Sequence, residues 1–236
     1  MEIINDPIVS LMTQKSFMHP SPQPTKKEIV TEFRTREILA AARRLVQSRG
    51  VGAVTMREIA ASAGVAKGTV YLYFPGKDQL VQALISQVGE NILADIEAVV
   101  SGSGAPLAKV QKVAALLLDY LMRERDLFPV YARDLLGGGR GADQGYWLHI
   151  QEMEERFVVL VTRLFAEGIE SGQFIPANPR LLTFMLRGMV RAVGYYQLSE
   201  GQEKAVKEAL PVLLTLFSSG LIREFPAKKT GEAAAV

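Results

Sequence analysis

Two short stretches of helix-forming sequence, TMREIAASA at 55–63 and AKGTVYL at 66–72, meet at a Gly64-Val65 step, and that junction limits the fold more than any other feature of the chain. Thr55 followed three residues later by Glu58 has the pattern of a capping box, in which hydroxyl and carboxylate satisfy the first turn's amides reciprocally. Ile59, Ala60 and Ala63 then share one inner face. Glycine tolerates left-handed backbone, so the chain turns sharply and a second short helix follows over about Ala66–Leu72. Two short helices joined by a tight glycine turn, apolar where they touch, describe a helix-turn-helix.

The remaining pattern is helical as well. Ile38, Ala41, Ala42, Leu45 and Val46 recur at i, i+3, i+4, i+7 and i+8, and Gly50 is placed to end that helix. FPGKDQLVQAL starts a longer helix near Pro75 or Gly76 that runs to about Val100, and SGSGAP at 101–106 breaks the pattern. LAKVQKVAALLLDYLMR is a further helix, and DLFPVYARDLL begins another, expected to bend at Pro129. After the glycine-rich loop at 137–145, helices are expected over about Tyr146–Ser171, Pro179–Leu198 and Gly201–Arg223. No alternating run of strand type stands out, so the expected fold class is all-α with about nine helices. Residues 1–25 are rich in Pro, Ser and Thr without periodicity and read as a disordered arm, with Met12 and Met18 as alternative starts. Residues 226–236 read as a frayed tail.

Composition excludes several classes of chemistry. The chain has no cysteine, which removes disulfides, thiolate catalysis and cysteine zinc sites. His19 and His149 are its two histidines, too few for metal clusters or triads, so no catalytic residue, metal or cofactor is implied. The most apolar stretch, LLTFMLRGMVRAVGYY, carries Arg187 and Arg191 and does not suit a membrane span. The acidic start MEIINDPIV lacks the basic region of a secretory signal, and a soluble cytoplasmic protein with no membrane partner is expected. Net charge is +2, but residues 26–79 hold ten Lys/Arg against five Asp/Glu, while the segments on either side are slightly acidic. Such an excess suits a polyanion, although an ordinary solvated helix face can carry the same.

In a helix-turn-helix the second helix lies in the major groove and its first residues reach base edges. Lys67 and Thr69 stand at that start, and Gly68 lets backbone approach DNA closely. Tyr71 and Tyr73 carry hydroxyls on rigid rings, suited to phosphate oxygens that fix register. Residues 31–91, most specifically EILAAARRLVQSRGVGAVTMREIAASAGVAKGTVYLYFPGKDQLVQAL, resemble the TetR/AcrR transcriptional regulators. The resemblance implies a helix-turn-helix DNA-binding domain over 31–91, with its motif at about 54–73, and double-stranded operator DNA as partner. It implies phosphate contact at Thr55, Tyr71, Tyr73 and Lys77, and base contact at Arg57, Lys67, Gly68 and Thr69. Arg57 also fits a solvated surface charge, and Tyr71 a packing role. Lys26, Lys27, Arg34 and Arg36 fit a DNA-binding arm or a solvated face equally. Ala66 departs from the serine common in the family, which removes a side-chain cap.

The resemblance further implies a helical domain over 92–225 that binds a small molecule and pairs two chains. The last two helices carry more apolar surface than one domain needs, and Gly188 and Ala192, four apart, leave room for a helix of a second copy. Large, adaptable side chains at Phe128, Tyr131, Trp147, Met153, Phe157, Phe184, Met185 and Met189 suggest a pocket for an apolar or amphipathic effector. His149, Glu152 and Arg156 are candidate polar anchors, and the 137–145 loop a candidate gate. The expected function is a homodimeric, ligand-responsive repressor of palindromic operators. The alternative is a ligand-independent nucleoid-associated or cell-division regulator whose body binds protein. A helical enzyme lacks any nucleophile–base pair or phosphate loop to support it.

Overall fold

The computed structural model describes residues 25–200 and 204–221. Within these residues the chain forms nine helices and no strand: α1 Lys26–Ala53, α2 Met56–Ser62, α3 Lys67–Tyr73, α4 Lys77–Ser101, α5 Pro106–Arg123, α6 Phe128–Leu136, α7 Gln144–Glu170, α8 Pro179–Glu200 and α9 Lys204–Leu221. The expected arm up to residue 24 and the tail at 226–236 lie outside the described residues.

Of the described residues, 25–37 make a unit by themselves. Its helical turns open on a capping box, with Thr25 N–H donating to Glu28 Oε2 at 2.7 Å and Glu28 N–H to Thr25 Oγ1 at 3.3 Å. Arg34 pairs with Glu37 and Arg36 with Glu32, both at 2.7 Å in the open. Exposed pairs of this kind add little stability.

From Ile38 onward the chain builds one contiguous core. The i, i+3, i+4 positions Ile38, Ala41 and Ala42 are fully buried, with Val46 one turn on. Gly50, expected to stop this helix, has φ 78 and kinks it, and a last turn continues to Ala53. In the body, α7 packs against α4, α5 and α8, while α9 covers α8 and α5. Phe165 lies between Phe174 and Phe217, with ring centroids 6.2 and 5.7 Å away, and Ile175 N–H donates to Leu221 O at 2.9 Å, so the turn after α7 is tied to the end of α9. Pro129 corrects the expected bend: it falls in the first turn of α6, where a missing amide hydrogen costs nothing, and it starts a helix instead of bending one. Among the described residues no helix is long and apolar enough to cross a membrane.

Candidate DNA-binding and effector sites

The helix-turn-helix is assembled from local signals that all agree. Thr55 caps α2: its hydroxyl oxygen accepts from Glu58 N–H at 3.3 Å, and its own N–H donates to Glu58 Oε2 at 2.9 Å. The Thr55 hydroxyl and Arg49 hold the Glu58 carboxyl far below its ordinary value of 4.5, at about 2. At the other end Val65 N–H donates to Ala60 O at 3.0 Å and Gly64 N–H to Ala61 O at 3.2 Å, with Gly64 at φ 67. These are the two bonds of a Schellman turn, and the left-handed backbone between them is why the position needs glycine. Val70 at 0% and Phe74 at 6% exposure anchor α3 to the core, so its other face is turned outward. Ala66 precedes α3 without any side-chain cap, as its missing hydroxyl requires.

That outward face carries the residues singled out from the sequence. Arg57, Lys67, Gly68 and Tyr71 are exposed, and Thr69 and Tyr73 are half-buried. Lys67 Nζ sits 5.5 Å from the centre of the Tyr71 ring, a cation–π contact that orders both side chains on one surface. Lys77 Nζ donates to Gly52 O at 3.2 Å and joins the first turn of α4 to the chain before α2. Thr55 is more engaged than expected, because its hydroxyl hydrogen already goes to Glu58 Oε2 at 2.7 Å. Leu72, 85% exposed, is an addition: it lies four residues after Gly68 on the same helix face, an apolar side chain of the kind that meets thymine methyl groups.

A second site lies in the body. A cavity of about 180 Å³, partly open, lies between α4, α5, α6, α7 and α8, lined mainly by apolar side chains such as Ile85, Ile92, Leu121, Ile150 and Val190. Of the eight expected pocket residues, Phe128, Tyr131, Met153 and Phe157 line it. Trp147, Phe184, Met185 and Met189 do not. Trp147 packs instead on Gly139, where a Cβ would come within 2.5 Å of its ring, so the glycine-rich loop is held on Trp147 and contributes nothing to the cavity wall. Phe184 is half-exposed under the Arg187 guanidinium, 4.4 Å from its ring centre. Met185 is also exposed, on a stripe with Leu181, Gly188, Ala192 and Tyr196 at helical spacing. A Cβ on Gly188 would meet nothing within 4 Å.

The expected anchors are displaced by the same helical phase. Ile150, Met153, Glu154 and Phe157 form the inner row of α7, whereas His149 and Arg156 turn to Glu90 at 3.6 and 2.9 Å, and Glu152 is exposed. The polar groups at the cavity are Glu124, Tyr120, Tyr131, Glu154, Arg187 and Arg191. Arg187 Nη1 and Arg191 Nη2 both donate to Glu154 Oε2 at 2.6 Å; Tyr131 O–H donates to Glu154 Oε1 at 2.5 Å and accepts from Arg191 Nη2 at 2.7 Å. Burial and the Glu154 charge push the Tyr131 phenol well above its ordinary value, so it remains a donor. Burial pulls the Arg187 guanidinium down. Burial pulls Arg191 the same way, but Tyr131 and Glu154 outweigh it and its value rises. Arg187 and Arg191, four apart within the apolar middle of α8, were the available signal, since buried charges are almost always paired. Among the described residues no group of three or more His, Asp or Glu is placed to hold a metal ion.

Comparison with known proteins agrees with this geometry. The profile described as "Bacterial regulatory proteins, tetR family" matches residues 38–84, which span the buried face of α1, the helix-turn-helix and the start of α4. YfiR of Bacillus subtilis (strain 168), an uncharacterized HTH-type transcriptional regulator, is 26% identical over 207 residues, covering 82% of this chain and 95% of YfiR. KstR2 of Mycobacterium tuberculosis, an HTH-type transcriptional repressor, is 24% identical over 143 residues, covering 61% of this chain and 70% of KstR2. The crystal structure of the transcriptional regulator FadR from Bacillus subtilis in complex with stearoyl-CoA shares the fold, with a TM-score of 0.62 at 22% identity over 78% of this chain and 98% of FadR. A capped, glycine-turned helix pair lies inside the segment that the family profile matches, on a helical body shared with solved regulators: through residues 38–84 the chain belongs to the TetR family of bacterial transcriptional regulators, DNA-binding proteins of the helix-turn-helix type.

Proposed function

We propose that this protein is a homodimeric, effector-responsive repressor acting in the cytoplasm, with residues 31–91 as its operator-binding head and 92–225 as its effector-binding and pairing body. The observation that carries the effector-responsive part is the apolar cavity of about 180 Å³, whose wall includes Glu124, the residue that receives Arg43 and Gln47 from α1. A ligand that alters this wall acts on a contact to the helix that supports the head. For it to weaken operator binding tenfold, it must favour the non-binding arrangement by about 1.4 kcal/mol, and operator must weaken the ligand by the same factor.

Lys67, Gly68, Thr69 and Arg57 are assigned to base edges, and Thr55, Tyr71, Tyr73 and Lys77 to phosphates; the exposure of Thr55, Arg57, Lys67, Gly68 and Tyr71 and the partial exposure of Thr69, Tyr73 and Lys77 support this. The exposed stripe of Leu181, Met185, Gly188, Ala192 and Tyr196, with Val212 and Leu216 exposed on α9, supports pairing of two copies through α8 and α9. The cavity favours this reading over a ligand-independent regulator, whose body would need no such space.

The test uses fluorescence anisotropy with a duplex selected from random sequence, at fixed salt. Wild type is expected to bind it tightly and to release it when a small apolar compound saturates the body. Lys67→Ala and Tyr71→Ala are each expected to lose about 1–3 kcal/mol of DNA affinity with the fold intact. Operator affinity that ignores every compound shown to occupy the cavity refutes the effector-responsive reading; unchanged affinity in both variants refutes the assignment of α3.

A further inference from the structure

The charges at the wall of the body cavity do not balance. The ionic side chains that line it are Glu124, Glu154, Arg187 and Arg191. Glu124 is answered by Arg43 from α1. Glu154 alone answers both of the other arginines: Arg187 Nη1 and Arg191 Nη2 share its Oε2 at 2.6 Å, and Tyr131 O–H takes Oε1. Glu155, the next residue of α7, is held by Arg180 at 3.1 and 3.2 Å. Burial and the Glu154 charge keep the Tyr131 phenol protonated, so it adds no negative charge. One positive charge is left without a counter-charge against a largely apolar wall, where an unpaired charge is costly.

Both arginines also keep donors in reserve. Among the described residues, Arg187 Nε and Nη2 and Arg191 Nε and Nη1 have no hydrogen-bond partner. None of the four is shut away, because the one buried side-chain nitrogen or oxygen left unpaired is Glu124 Oε2. The Arg187 guanidinium lies over the Phe184 ring, 4.4 Å from its centre, which holds it in place. Guanidinium edges match carboxylate oxygens in both geometry and charge. A cation would add to the excess and would find both Glu154 oxygens engaged, and a neutral group would leave the excess in place. The rest of the wall, including Ile85, Val88, Ile92, Leu117 and Leu121, suits hydrocarbon. Because the cavity is partly open, its volume does not fix the length of what it holds.

Building on the reading that this cavity is the effector site, we propose that Arg187 and Arg191 form its head-group site, and that the effector is an amphipathic monoanion, an apolar body bearing one carboxylate. Such a head supplies the missing negative charge and accepts from the N–H groups that Glu154 leaves unused, while the apolar body lies along the hydrocarbon wall.

Four probes with one common chain separate the alternatives: octanoate, 1-octanol, octylamine and octyl phosphate, titrated into the full-length protein by calorimetry at neutral pH and fixed salt. Octanoate is expected to bind tightest, about ten- to a hundredfold tighter than 1-octanol, which is the worth of a hydrogen bond to a charged partner. Arg187→Met leaves Glu154 paired with Arg191 and Tyr131, so no charge is orphaned, and the preference for octanoate over 1-octanol is expected to fall about tenfold or more. Arg187→Lys keeps the charge without the planar fork and should restore part of that preference. The wild-type ranking decides the question even if either variant folds poorly. A match between 1-octanol and octanoate, octylamine bound tightest, or a preference unchanged in Arg187→Met overturns the head-group site and leaves the effector site standing. Octyl phosphate bound tighter than octanoate overturns the single-charge carboxylate. Octanoate preferred in wild type and not in Arg187→Met, yet without release of the selected duplex in anisotropy, supports the head-group site and overturns the effector reading. Failure of all four to bind overturns both.

Discussion

Removing Arg43 should cost far more than its position near the surface suggests. Its side chain is 28% exposed, but the carboxylate it serves is 6% exposed and otherwise keeps only Gln47 on the same oxygen. Breaking one side of a fully buried pair typically costs about 3–5 kcal/mol, because the remaining charge stays buried without compensation. Partial access of water to Arg43 lowers that, and about 2–3 kcal/mol is expected for Arg43→Met, or roughly 4–12 °C in Tm for a domain of this size. The same reasoning gives the double variant Arg43→Met with Glu124→Leu a different outcome. It removes both charges and the orphan Oε2 together, and replacing a buried pair by apolar groups is often neutral. Most of the lost stability should therefore return. Differential scanning calorimetry of the two single variants and the double, at equal protein concentration, measures the coupling as a double-mutant cycle. A loss below about 0.5 kcal/mol in Arg43→Met, or a double variant no more stable than the single one, refutes the claim that a buried charge is being compensated.

Gly188→Glu, at a position where a Cβ meets nothing within 4 Å of its own chain, should leave the monomer folded and abolish both pairing and operator binding; light scattering and anisotropy check this, and a folded dimer of the variant refutes pairing through α8. Gly168→Ala would bring a Cβ to 2.1 Å from the Phe174 ring, which is 1% exposed and has no room to move, so a loss of about 1–3 kcal/mol in thermal unfolding is expected. The Glu58 carboxyl should titrate at about 2 in an NMR pH series, and Thr55→Val should raise that value by removing the hydroxyl that donates to it. Because the folded value is depressed, the contribution of this cap to stability is complete above the ordinary value near 4.5 and is lost as pH falls from there through about 2.

The DNA-binding half was legible in the sequence because its determinants are local. The Thr55–Glu58 box, the Gly64 turn and the buried Val70 and Phe74 lie within twenty residues, and each specifies backbone conformation by itself. The body is different. Its helices were recoverable from periodicity, yet α8 is apolar on two sides, and composition does not say which side meets the cavity. Phe184 and Met185 look like pocket residues on that basis and lie outside it, while Arg187 and Arg191, which look like surface charges, face Glu154. Glu124 is the extreme case. In the run RERDLF it has the appearance of one solvated charge among several, and its burial follows only from Arg43, 81 residues earlier, arriving at its side. An orphan oxygen has no sequence signature, because it is defined by partners that do not come. It emerges only when the donors on every neighbouring element have been accounted for. Among the described residues that accounting leaves one buried side-chain acceptor without a donor, Glu124 Oε2.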